Sequence, residues 1–207
     1  MTLSPSASVG DPDDQNQSSA TVSITAGTFS GDGDTLAATT TGTSITASYN
    51  SATEVLSLTG TDTLAHYRTV LRSVTFTTAN HNPTNFGANP SRTLSWVLND
   101  AAATGSNGIQ STTVTTSISI TPINDAPTLS GTTASVGFTE NGAAVTLSPS
   151  AAVTDIDDQN LSSATASITA GTFSGDGDTL AAATTGTSIT ASYNSATGVP
   201  LRLLLYH

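Results

Sequence analysis

Along most of the chain apolar residues alternate with small polar ones, the period of a strand with one face buried. In "ATVSITAGTF" (20–29), Val22, Ile24 and Ala26 share one face, and Thr21, Ser23 and Thr25 the other. "TSITASYNSATEVLSLTG" (43–60) reads as a hairpin: Ile45, Ala47 and Tyr49 alternate, "NSAT" turns, and Val55, Leu56 and Leu58 return. The next stretch, "TLAHYRTVLRSVTF" (63–76), changes period. Leu64, Tyr67, Val70 and Leu71 recur at helical spacing, which predicts one short helix near 64–71 and then a strand at 74–77. Beyond the loop "HNPTNFGANPS" (81–91), "RTLSWVLND" (92–100) and "STTVTTSISITPIND" (111–125) add two strands. Short strands, regular turn signals and little helix predict an all-β fold, a β-sandwich.

The pattern then repeats. Residues 147–199 align with 3–55 without a gap, at an offset of 144 (147 − 3). Seven positions differ: Ser8/Ala152, Gly10/Thr154, Pro12/Ile156, Gln17/Leu161, Val22/Ala166, Thr39/Ala183 and Glu54/Gly198. The other 46 of 53 (53 − 7) are identical, as in a recent tandem duplication. The period exceeds the roughly 20–50 residues of solenoid repeats and matches one whole domain. The expected organisation is a first module at 1–123 without its first strand, a linker at 124–127, and a partial second module at 128–199. An aberrant tail, "PLRLLLYH", follows at 200–207. The lead-in "NDAPTLSGTTASVGFTENGAAVT" (124–146) precedes copy 2 and has no counterpart before copy 1. Residues 128–146 could therefore supply the strand that module 1 lacks, leaving module 2 poorly packed from about Leu147 onward.

Composition narrows the partners. Fifteen acidic residues stand against four basic ones, all arginine, for a formal net charge of −11. Such a surface repels nucleic acid and anionic membranes. Without cysteine, disulfides and thiolate metal sites are excluded. No leader pattern opens the chain and no stretch approaches a membrane span of about 20 apolar residues, so an export signal is expected elsewhere in a longer parent. Asp155 and Asp157 are two apart, so on an extended segment both carboxylates point to one side and repel unless a cation sits between them. Calcium takes about 6–8 oxygens from carboxylates, amides and carbonyls, and Asn124 and Asp125 can add such oxygens.

These residues resemble a known family. "PINDAPTLS" (122–130) resembles the linker between cadherin repeats, "FTENG" (138–142) the x-Glu-Asn segment and "VTDIDD" (153–158) the Asp-x-Asp. "TLAHYRTVLRSVTF", the "NP" loop and "RTLSWVLND" look like the cadherin-like modules repeated in giant bacterial adhesins. In the linker, Pro122 and Ala126 depart from the pattern. The resemblance implies Greek-key β-sandwiches (cadherin/Ig-like) in tandem, the second copy truncated, with Ca2+ at each junction. It implies that Asn124, Asp125, Asp155 and Asp157 share the one junction in this chain. Asp62 adds to it and Asp100 less so; Asp11 and Asp13 belong to a preceding junction and Glu140 to a following one.

The expected function is a non-enzymatic, calcium-stiffened spacer of a large secreted or surface-anchored bacterial adhesin, whose partners are neighbouring repeats of the same chain. The alternative is a β-sandwich module binding carbohydrate or a homotypic partner, with host receptors or glycans as ligands. "SGDGDT" (30–35 and 174–179) resembles a calcium nonapeptide, but each copy stands alone and reads as a Gly/Asp turn. His66 and His81 have no Gly-x-Ser-x-Gly elbow to serve and are expected on the surface. Arg68, Arg72 and Arg92 are expected to pair with the acidic surface, and Trp96 and Tyr49 to lie in the core.

Overall fold

The computed structural model describes residues 1–12, 14–100, 111–173, 175–194 and 199–205. They divide into two compact units, Met1–Asp157 and Asp158–His207. In the first, the alternating segments become β1 (Asn16–Ala26), β2 (Asp34–Ala37), β3 (Thr46–Asn50) and β4 (Val55–Thr63). After them come the helix α1 (Leu64–Arg72), β5 (Thr75–Thr78), β6 (Ser91–Asp100) and β7 (Ser111–Ser119). A five-stranded antiparallel sheet has the order β3-β4-β1-β6-β7, and β2 pairs with β5 in a second, two-stranded sheet. The strand predicted at 111–125 ends at Ser119, three residues before Pro122, which has no N–H to give a ladder.

Register explains the core. Val22 faces Leu56 on β4 and Trp96 on β6, and Ile24 faces Leu94. Cross-strand neighbours share a face, so these side chains point together. Leu36 of β2, Phe76 of β5, and Tyr67, Val70 and Leu71 of α1 belong to the same buried cluster. Each such side chain stabilises the fold by roughly 1.5–3 kcal/mol. The helix starts where Thr63 accepts a hydrogen bond from the His66 N–H at 3.2 Å, and Tyr67, Val70 and Leu71 of the four residues its spacing predicts are buried, while Leu64 is half-buried. Gly27 is required where β1 ends: its φ is +86°, and a Cβ there would lie 1.9 Å from the Ser91 carbonyl oxygen. Among the described residues no helix is long and apolar enough to cross a membrane.

Copy 2 behaves differently. From Thr121 to Tyr193 no described side chain is buried. Ile24 is 6% exposed and its counterpart Ile168 37%. The same residue in the same local sequence is buried in one copy only: Ile24 joins a cluster completed by Tyr67 and Val70 of α1, Phe76 of β5, Leu94 of β6 and Ile118 of β7. β8 (Thr128–Ser130) pairs with β9 (Ala152–Thr154). In the second unit, β10 (Ser163–Ala166), β11 (Ile189–Asn194) and β12 (Val199–Leu205) take the order β10-β12-β11, which repeats β1-β4-β3. The tail therefore occupies the place of β4.

It does so one residue out of step. Ala20 faces Leu58, and the offset of 144 would set Ala164 opposite Arg202; it faces Leu203 instead. Likewise Ala166, the counterpart of Val22, faces Leu201 rather than Pro200. A one-residue slip exchanges the two faces of a strand. Here it moves Leu201, which is buried, and Leu203 into the positions of Leu56 and Leu58. An irregularity between Ser192 and Asn194 absorbs the extra residue.

Candidate metal centres

Carboxylates gather at three places in the described residues. At the first, Asp125 donates its N–H to both oxygens of Asp157, at 3.3 and 3.1 Å. Asp157 donates its own N–H to Asp155 Oδ1 at 3.2 Å, and the two carboxylates each bring an oxygen within 4.8 Å of the other. They meet through this bend, not by projecting from an extended segment. Burial, with the neighbouring Asp155 and Asp125 charges, pushes the Asp157 carboxyl above the usual range, although the Asp125 N–H pulls it down. Asn124 Nδ2 donates to the Asp125 carbonyl at 2.8 Å, and His81 Nδ1 lies 2.9 Å from Asp125 Oδ2. Asp125 and Asp157 thus meet, Asp155 joins through Asp157, and Asn124 and His81 each contact Asp125 alone among these residues. The contact with His81 was not legible, because nothing local links a loop at 81 to a linker at 125.

Asp11 groups with Asp14 and Asp100. The Asp14 N–H and Gln17 Nε2 donate to Asp11 at 3.2 and 3.3 Å. Asp13 lies outside the described residues. Asp62 accepts from the N–H groups of Ser44 and Thr63, at 2.7 Å each, and sits 2.7 Å from His66 Nδ1. The Ser44 N–H, first, holds its carboxyl below the usual range. Asp62 is thus occupied at the start of α1. Glu140 sits in an exposed turn closed by the Gly142 N–H on the Thr139 carbonyl. Neither groups with other carboxylates among the described residues.

The third cluster, Asp32, Asp34 and Glu54, is one that sequence reasoning did not find. Asp32 forms the expected turn: its oxygens accept from the N–H groups of Phe29 and Asp34, at 3.2 Å each. Asp176 makes the same two bonds to Phe173 and Asp178 in copy 2, so the turn is locally encoded. Only copy 1 adds Arg92, expected at the surface but wholly buried. Its Nε pairs with the Asp34 carboxylate, its NH2 group donates to the Pro83 carbonyl at 2.8 Å, and its guanidinium lies 5.6 Å from the centre of the Phe29 ring. Arg92 already supplies the cation here.

Burial, then the Asp32 and Asp34 charges, push the Glu54 carboxyl up to about 7. The folded state therefore holds this proton more tightly than the unfolded one. Its contribution to stability is full at acidic pH, is lost as pH rises from the ordinary glutamate range through about 7, and is flat above. Glu54→Gln is expected to flatten that decline and to stabilise the protein at pH 8 by about 1–2 kcal/mol, allowing for partial exposure. Urea unfolding at pH 5, 7 and 8 reads this out, and an unchanged decline in the variant contradicts it. Copy 2 carries Gly198 at this position, so the charge is not a fixed requirement of the repeat.

What these features define is a β-rich chain with acidic clusters where its turns and linker meet. The chain matches no family model, no curated protein and no solved structure.

Proposed function

We propose that this chain is a calcium-stiffened structural spacer segment of a large bacterial cell-surface or secreted adhesin. Its modules are Greek-key, cadherin-like β-sandwiches in tandem, and it is not an enzyme. The observation that carries the reading is the meeting of the linker residue Asp125 with Asp157, which in turn bonds Asp155, at the point where a domain-length sequence begins to repeat. Three carboxylates at one place in a chain of net charge −11 repel one another. A calcium ion among them would convert that repulsion into a bridge, using carboxylate oxygens of the kind it takes. A hinge without metal becomes a fixed joint with it, and a series of such joints holds an adhesive tip away from the cell.

Small-angle X-ray scattering with calcium and with chelator tests this. The expected result is a larger maximum dimension and a less flexible Kratky profile in calcium. Superimposable profiles contradict the spacer reading.

A further inference from the structure

Residues 3–54 and 147–198 are two nearly identical halves, and only the first is covered. Ala20, Val22, Ile24, Leu36 and Ile45 pack with side chains of β4, α1, β5 and β6, all from the stretch 56–120. Their counterparts Ala164, Ala166, Ile168, Leu180 and Ile189 are the same residues except for Ala166, and none of them is buried.

Copy 2 already has the local shape that this cover fits. Tyr193 donates its hydroxyl to the Asp178 carbonyl at 3.3 Å, as Tyr49 does to the Asp34 carbonyl at 3.0 Å. The Thr187 hydroxyl donates to the Thr184 carbonyl at 2.7 Å, the same distance as the matching bond from Thr43 to Thr40. Asp34, the buried partner of Arg92, has its equal in Asp178, and Phe29, under the guanidinium, has its equal in Phe173. The buried ion pair therefore does not tell the copies apart.

The seven differences do so only weakly. Ser8, Gly10, Pro12 and Thr39 are exposed, so their replacements leave the core unchanged. Val22 faces Leu56 and Trp96, and the alanine of copy 2 is two carbons smaller there, which favours copy 1. Leucine in place of Gln17 gives up the bond to Asp11, which also favours copy 1. Glu54 has a φ of +54° and adds a third carboxylate beside Asp32 and Asp34. The glycine of copy 2 removes that charge and suits that backbone, which favours copy 2. These effects oppose one another, and neither copy is excluded from the cover.

We infer that residues 147–198 exchange with residues 3–54 on the cover 56–120, giving the chain a second arrangement with the same core. Highly similar neighbours in repeat proteins are prone to such misassembly. The 26 residues 121–146 span up to roughly 85 Å when extended, so the exchange closes within one chain. It releases β12, which holds the place of β4 beside β10 and β11. Both halves and the cover lie within residues 3–198, and the exchange needs nothing outside them. It goes beyond the spacer reading and does not depend on calcium.

The absence of native cysteine makes the test direct. Thr35 and Thr77 are exposed and directly opposed on β2 and β5, a placement that suits a disulfide, and Thr179 is the counterpart of Thr35. A chain with Thr35→Cys, Thr77→Cys and Thr179→Cys is equilibrated in a glutathione buffer, where disulfides reshuffle, and its monomeric products are mapped by mass spectrometry. The 35–77 bond is expected as the main product and 77–179 as the minor one. Val22→Ala makes the copies equal at that core position and is expected to raise the ratio of 77–179 to 35–77 about tenfold, the effect of two buried carbons. Leu180→Asn changes a side chain that is only half-buried in this arrangement and enters the core on exchange. It is expected to abolish 77–179 and leave 35–77 intact. No 77–179 bond in monomers even with Val22→Ala, a ratio that Val22→Ala leaves unchanged, or a 77–179 bond that survives Leu180→Asn would each overturn the inference.

Discussion

Arg92→Met is expected to destabilise the first unit by about 3–5 kcal/mol, the largest single-residue effect here. Arg92 and Asp34 both have wholly buried side chains, and the guanidinium also serves the carbonyls of Pro83 and Asn89. Methionine fills part of the volume but leaves a buried carboxylate with Asp32 and Glu54 close by. Burial already pushes the Asp34 carboxyl up, and Arg92 opposes the push. Removing the guanidinium removes that opposition, and a charge with no partner in a dry site is expensive. A loss of this size is a large share of the roughly 5–15 kcal/mol that holds a typical domain together. Asp34→Asn in the same chain should recover about 1–3 kcal/mol, because the two positions are coupled. Urea unfolding followed by the fluorescence of Trp96, the only tryptophan, gives the four corners of the cycle. A loss for Arg92→Met below about 1 kcal/mol, the range of an exposed pair, contradicts this account of the core.

The duplication also separates what local sequence encodes from what neighbours impose. The turn at Asp32 was legible because its two hydrogen bonds are local, and copy 2 forms it without a core. β2 was not legible. Residues 34–37 form a strand against β5, while the identical residues 178–181 form none. β1, the β3–β4 hairpin, β6 and α1 were legible because their periods are strong enough to survive without context. Tyr49 and Trp96 do pack against the core, although both are only partly buried. Arg92 does pair with an acidic residue, as expected, but in the core and not on the acidic surface; its burial was not legible because a lone arginine in an alternating strand reads as solvated. Its burial depends on Asp34, 58 residues away, and on a carbonyl in the loop at 83. At the linker, Asn124, Asp125, Asp155 and Asp157 were legible as residue types. The bend that brings Asp155 and Asp157 together was not, since their spacing fits an extended segment equally well. Asp62 combines the two: its carboxylate takes the nearby Thr63 N–H and His66 locally, and the Ser44 N–H only through the pairing of β3 with β4.

Neutralising the linker carboxylates is expected to have the second large effect. Burial, and then the neighbouring Asp155 and Asp125 charges, push the Asp157 carboxyl up, and calcium among Asp125, Asp155 and Asp157 would relieve the part that is repulsion. Asp155→Asn with Asp157→Asn keeps the shape and one oxygen at each position but removes two of the three charges. Affinity in such sites follows the number of charged ligands. The doubly substituted chain should therefore bind at least about tenfold more weakly, a cost of about 1.4 kcal/mol. Both positions are partly exposed and outside the buried cluster, so the fold of residues 1–120 should be unaffected.

The most direct measurement is calcium titration by isothermal calorimetry on the unmodified chain and on the Asp155→Asn/Asp157→Asn chain. The expected result is binding tighter than about 1 mM, within the range of extracellular calcium modules, that is weakened at least tenfold by the two substitutions. No heat of binding at submillimolar calcium, or the same isotherm from both chains, would contradict the bridged linker on which the spacer function rests.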